Sequence, residues 1–176
     1  MEDEDLLRRP PAPRPYVPSN ALLLVPPQAV LATRQLLQRA GRREACVFWY
    51  GDRDDVSVVR SVRAPVQQSF RGNYHVEPEA MSQMVHNLDA NWRPLAQVHS
   101  HPGLNTEHSR YDDKMMSSRK VLSIVFPLYG VQAAPWPSGL GIHEWQIDYW
   151  HMLTPAEVDG RLALHQASAL DVRDFR

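Results

Sequence analysis

The 176-residue chain has a single cysteine, Cys46, so no disulfide can form within it. That predicts a reducing compartment, the cytoplasm, and a core that holds without covalent staples. Cys46 stands in the apolar run Ala45-Cys46-Val47-Phe48 and reads as a small buried hydrophobe. Also missing is any apolar run near the roughly 20 residues that a membrane helix needs, so no membrane partner is expected. The opening residues, MEDEDLLRRPPAPRP, carry acids and prolines where a secretion signal has an apolar core. An excess of either charge is lacking too. Nineteen Lys and Arg face twenty Asp and Glu, and no global field favours nucleic acid.

What is present is ordinary for a globular protein: 43% apolar and 22% charged residues, enough for one domain with a sizeable core. Residues 1–19 are acidic, then basic and proline-rich (Pro10, Pro11, Pro13, Pro15, Pro18). Such a stretch forms neither helix nor central strand, and it reads as an extended, flexible arm. A solvated tail is the preferred reading over a partner-binding one. Residues 20–176 read as a single domain.

Along that domain, 21–25 predicts a short buried strand, and Pro26-Pro27 opens a helix that Gly41 stops. Residues 45–50 predict an apolar strand, 56–62 an alternating one, and 63–76 a polar, irregular stretch. Glu77-Pro78-Glu79 opens a second helix, with Met81, Met84, Val85 and Leu88 as its core stripe. Strands are expected over 94–100, 121–127 and 141–149. At the end, Thr154, Pro155 and Glu157 spell a capping box, with Leu153 and Val158 as a hydrophobic staple. That predicts a C-terminal helix over about 155–170. Helices and strands are mixed rather than alternating, which suits an α+β class with a central mixed sheet.

The chemistry concentrates in His99-Ser100-His101-Pro102. Residues two apart on a strand share a face, so the two imidazoles can aim at one point. Pro102-Gly103 then breaks the strand. Ser109 is a good helix N-cap type, and Asp112 follows in the first helical turn. Two His and one Asp are a ligand set that zinc accepts, leaving a fourth position for water. Peptide hydrolysis at such a site also needs a general base. Glu44, at the start of an apolar strand, is one candidate and equally reads as a surface residue beside Arg42-Arg43. Glu107, Asp113, Glu77 and Glu79 are rivals. Taken singly, each piece has a bland reading: a surface histidine pair, an ordinary helix cap.

Their combination is what resembles a known family. His-Ser-His-Pro, seven residues between His101 and Ser109, and two between Ser109 and Asp112 reproduce the JAMM motif of MPN+ metalloproteases. A glutamate opening a strand that ends in glycine, Glu44 to Gly51, matches the upstream part. The resemblance spans roughly residues 21–150 and implies the MPN/JAB fold, which is cytidine-deaminase-like. It implies one Zn2+ held by His99, His101 and Asp112 with a water, Glu44 as the base for that water, and Ser109 as a donor to the oxyanion. It further implies cleavage after the C-terminal tail of a ubiquitin-like protein or its conjugates, with conjugation-pathway enzymes as possible partners. The compact size is similar to bacterial members of ubiquitin-like conjugation or antiphage-defence systems. Trp136, between Pro135 and Pro137, is the aromatic singled out for substrate contact, whereas His108 reads as a solvent-facing loop residue. Two other readings stand beside this one: C-terminal processing of a sulfur-carrier protein, and a non-catalytic binding module with a structural metal.

Overall fold

The computed structural model describes residues 11–52, 54, 56–131, 135–166 and 169–176. In chain order the elements are β1 (Leu22–Val25), α1 (Pro27–Gln38), β2 (Cys46–Asp52), β3 (Val56–Ala64), β4 (Gln68–Ser69), β5 (Tyr74–His75) and α2 (Pro78–Val85). There follow β6 (Trp92–Ser100), α3 (Arg110–Met115), β7 (Leu122–Phe126), a 3-10 turn (Leu128–Gly130), β8 (Gly141–Trp145), β9 (Trp150–Met152), α4 (Pro155–Asp159), β10 (Leu162–Leu164) and β11 (Asp171–Asp174).

Strand β2 decides the layering because it is buried on both faces. Val47 and Trp49 point into the larger apolar cluster with Leu36 and Leu37 of α1, while Cys46, Phe48 and Tyr50 join Tyr74 and Met84 on the other side. A continuous apolar run of this kind belongs in the middle of a sheet covered on both sides. The sheet order is β10-β1-β3-β2-β6-β7-β8-β9, with β11 also paired to β3. Pairing is mixed: β2 is antiparallel to β3 and β6, whereas β6–β7, β1–β3 and β1–β10 are parallel. The result is the α+β architecture that the element pattern predicts, a mixed sheet flanked by four helices among the described residues.

Helix α1 starts with Pro27 at its first position, and Gly41 follows its end in the left-handed region (φ 66°). Its buried face is Ala29, Ala32, Thr33, Leu36 and Leu37, with the Thr33 hydroxyl accepting the Trp49 indole N–H at 2.8 Å. Leu31 lies on the exposed side.

Three local expectations are corrected. The C-terminal helix stops at Asp159 rather than running to 170. The capping box forms as expected, but Gly160 ends the helix, and Leu162–Leu164 pairs in parallel with β1 as β10. Burying that strand against β1 outweighs the helix propensity of Leu162, Ala163 and Leu164. The span 141–149 divides into β8 and β9 around a turn closed by Gln146 N–H donating to the Tyr149 carbonyl at 2.8 Å. The stretch 63–76 is not wholly irregular, since β4 and β5 form a small hairpin.

Of the proline-rich arm, residues 1–10 lie outside the described residues. From Pro11 to Val17 the chain runs beside the β8–β9 hairpin. The Arg14 guanidinium meets the Asp148 carboxylate at 2.7 Å, Tyr16 stacks on His151 at 4.6 Å between ring centroids, and the Tyr16 hydroxyl donates to Glu144 at 2.5 Å.

Candidate metal centre

Strand β6 alternates as a strand must. Ala96 and Val98 face the larger core, which turns Gln97, His99 and His101 to the opposite side. Ser100, between the histidines, accepts a hydrogen bond from the Ala45 N–H at 3.3 Å and ties the end of β6 to the start of β2. Helix α3 lies over the face that His99 shares. Buried Gln97 receives it there: its amide donates to the Met115 carbonyl at 3.1 Å and accepts from the Ser117 N–H and hydroxyl at 2.9 Å. The same amide donates to the Tyr74 hydroxyl at 2.8 Å. The C-terminal end of α3 is thus pinned to the strand that carries the histidines.

The N-terminal end of α3 is set by a full capping box. The Asp112 N–H donates to Ser109 Oγ at 3.1 Å, and Asp112 Oδ2 accepts from the Ser109 N–H at 2.6 Å and from the Ser109 hydroxyl at 2.7 Å. These bonds aim the carboxylate at the histidines. His99 Nε2 lies 3.3 Å from Asp112 Oδ1, His101 Nε2 lies 3.3 Å from Asp112 Oδ2, and the two Nε2 atoms are 3.1 Å apart.

Those three separations give a direct test of fit. Ligands at about 2.0–2.1 Å from a tetrahedral zinc lie roughly 3.3–3.4 Å from one another. His99, His101 and Asp112 are the one group of potential metal donors found among the described residues, and they already stand at that spacing. The His101 ring is oriented as a ligand should be, with Nδ1 2.9 Å from the Asn105 carbonyl, which leaves Nε2 its lone pair. His99 Nδ1 is buried with no hydrogen-bond partner among the described residues. Packing against Tyr74 and His108, at 5.6 and 5.7 Å between ring centroids, orients that ring instead.

The electrostatics agree with a cation site. Burial lowers the His99 pKa against the pull of Asp112, which favours the neutral ring that a metal requires. For His101 burial acts the same way, but the hydrogen bond and charge of Asp112 outweigh it and leave the value raised. Burial alone would raise the Asp112 carboxyl, yet the charge of His99 and hydrogen bonds from both histidines hold it well below the usual carboxylate range.

Glu44 resolves as a buried acid, 4% exposed, at the threshold of β2. Its N–H donates to the Phe70 carbonyl at 2.7 Å, on the β4–β5 hairpin. Burial pushes its carboxyl up to about 8, opposed by His101 and reinforced by Asp112. It lines a cleft of about 310 Å³ together with Gly72, His101, Gly103, Ser109 and Asp112. Of the rival bases, exposed Glu107 borders the same cleft, Asp113 is bonded to His108, and Glu77 faces His75 at the surface.

Two aromatic expectations come out differently. Trp136 does not join the cleft. It packs, half-buried, on the larger core with its ring 6.4 Å from that of Trp49. His108 is not solvent-facing but 1% exposed, with Nδ1 2.9 Å from Asp113 Oδ1 and Nε2 2.6 Å from the Ser123 hydroxyl. It also stacks on His143 at 3.9 Å. Sequence inspection misses this network because Ser123 and His143 come from β7 and β8. Gln97 and Tyr74, which hold each other on the face of His99, belong to no motif in the sequence either. The strand alternation that puts Gln97 on the face of His99 was the available signal.

Among known proteins, the family model described as prokaryotic homologs of the JAB domain matches residues 26–147. The solution structure of protein DSY2949 from Desulfitobacterium hafniense superposes with a TM-score of 0.63 at 18% identity, covering 83% of this chain and 94% of that one. Curated proteins yield no match.

Proposed function

Because this chain belongs to the prokaryotic homologs of the JAB domain, we propose that it is a zinc-dependent isopeptidase or peptidase acting after the C-terminal tail of a ubiquitin-like protein. The observation that carries the reading is one juxtaposition. His99, His101 and Asp112 converge at tetrahedral ligand spacing, and a buried Glu44 lines the same cleft. A buried carboxylate on the cleft beside the donors serves proton transfer, which a purely structural metal site does not need.

Zinc held by those three side chains would supply Lewis acidity, polarising a carbonyl and bringing the pKa of a water down to about 7. The residues do the rest. Glu44, the buried carboxylate beside the donors in the cleft, takes a proton from the attacking water and delivers it to the leaving amine. Ser109 sits at the cleft wall with its hydroxyl on Asp112. It donates to the developing oxyanion by turning that hydroxyl toward it. Gly72 and Gly103 line the cleft without side chains, which suits a narrow tail of small residues laid in extended form.

The placement in a bacterial ubiquitin-like conjugation or antiphage-defence system follows the family resemblance, and genes for conjugating enzymes beside this one would support it. The deciding experiment is metal analysis of the purified protein, with cleavage of a ubiquitin-like fusion measured before and after chelation. One bound zinc and chelator-sensitive cleavage are expected. Chelator-insensitive cleavage or no metal uptake would sink the reading.

A further inference from the structure

Strand β7 ends at Phe126, and Pro127 passes the chain into the 3-10 turn Leu128–Gly130. Leu128 (φ 52°) and Tyr129 (φ 54°) both occupy the left-handed region, the only non-glycine residues to do so among the described ones. An L side chain is crowded against its own carbonyl there, and two in succession persist only where surrounding contacts over-determine them.

Those contacts point at the cleft from two directions. The left-handed pair aims successive N–H groups at the motif loop: Leu128 donates to the Gly103 carbonyl at 3.0 Å and Tyr129 to the His101 carbonyl at 2.8 Å. The Tyr129 ring is buried, and its hydroxyl reaches the other way to donate to the Arg71 carbonyl at 2.9 Å. Arg71 is in the turn of the β4–β5 hairpin, next to Phe70, whose carbonyl accepts the Glu44 N–H at 2.7 Å. One residue therefore touches the backbone of a metal-ligand candidate on one wall and, one residue removed, the support of the candidate base on the other.

We propose that Tyr129 is a positioning residue that fixes the separation between the two walls of the cleft, the His101 loop and the hairpin holding Glu44. Its effect on turnover rests on the isopeptidase reading above, whereas the mechanical tie does not. The step from geometry to rate is steep, since a misplacement of about 1 Å can cost on the order of a hundredfold. The strained backbone keeps its two N–H donors if the hydroxyl alone is removed, so the tie can be cut on the hairpin side only.

The test is Tyr129→Phe in the full chain. It combines hydrogen exchange on the metal-free protein, zinc titration, thermal melting, and kinetics on a ubiquitin-like fusion. The Glu44 and Phe70 amides are expected to exchange about tenfold faster, while amides of β6 keep their rates. Zinc affinity and melting temperature stay near wild type, and kcat falls about tenfold, a combination that general destabilisation does not produce. Wild-type exchange at those two amides overturns the proposal, as does wild-type kcat in a variant whose amides do exchange faster. If the wild-type chain neither binds zinc nor cleaves, the functional reading fails, and the exchange comparison alone still judges the tie. Should Tyr129→Phe not fold, native-state exchange of the wild-type chain replaces it: the Glu44 and Tyr129 amides are expected to open together, with the same denaturant dependence. Independent opening of the two amides overturns the tie.

Discussion

Ser109 and Asp112 hold each other through three hydrogen bonds: the Ser109 N–H and hydroxyl both reach Asp112 Oδ2, and the Asp112 N–H returns to Ser109 Oγ. The capping box of α3 is thereby also the support of a candidate metal ligand, so helix stability and ligand aim are not separable at this position.

Replacing Ser109 by Ala should therefore do two things. Loss of the cap costs about 1 kcal/mol in denaturant unfolding of the metal-free protein. Loss of the bond to Oδ2 weakens zinc binding by roughly 10-fold or more, as supporting hydrogen bonds to ligands do. At saturating zinc, kcat should remain depressed by about 10²-fold if the hydroxyl also serves the oxyanion. Recovery of kcat to wild type at high zinc would reduce Ser109 to a support.

Glu44→Gln separates metal binding from proton transfer. Calorimetric zinc titration should give wild-type affinity, since Glu44 is outside the donor group, while turnover drops by roughly 10²–10⁴-fold. Retained turnover would move the base elsewhere, with Glu107 the next carboxylate on the cleft.

The same residue makes a pH prediction for the metal-free protein. Its folded value, about 8, lies above the ordinary 4.5 of the unfolded chain. Below pH 4.5 both states hold the proton and the buried group costs nothing. As pH rises through the window from 4.5 to 8, the unfolded state releases its proton first, and stability falls. Glu44→Gln should remove that loss, being more stable than wild type at pH 8 by on the order of 4 kcal/mol and nearly equal to it at pH 4.5. Denaturant midpoints across that window check it, and parallel curves for the two proteins would refute it.

Gly141 opens β8, and a Cβ there would stand 2.1 Å from the Thr106 carbonyl oxygen, in the loop between His101 and Ser109. Backbone must move to admit it. Gly141→Ala should lower stability by about 1–3 kcal/mol and weaken zinc binding, because the displaced loop carries Asn105, whose carbonyl orients His101. Unchanged zinc affinity would show that the loop yields without moving His101.

How far each feature could be read in advance follows from how local its cause is. The His-Ser-His strand end, the Ser109 cap and the Thr154 capping box are decided by residues within four positions of one another, and they stand as the sequence indicates. The length of the last helix is not such a feature. Thr154 starts it correctly, but Leu162–Leu164 finds a better partner in β1, some 140 residues away. Likewise His108 looks like any polar loop residue until Ser123 and His143 arrive from two strands to bury it.

From the sequence alone came the family pattern, the donor types and the order of the longer elements from β1 to β8, because spacing and periodicity are properties of the chain itself. Tertiary structure decided that the three donors stand about 3 Å apart, that Glu44 is buried beside them, and that Tyr129 spans their two supports. Those relations depend on strands and loops distant in sequence meeting across the sheet, and burial and distance exist only once they have met.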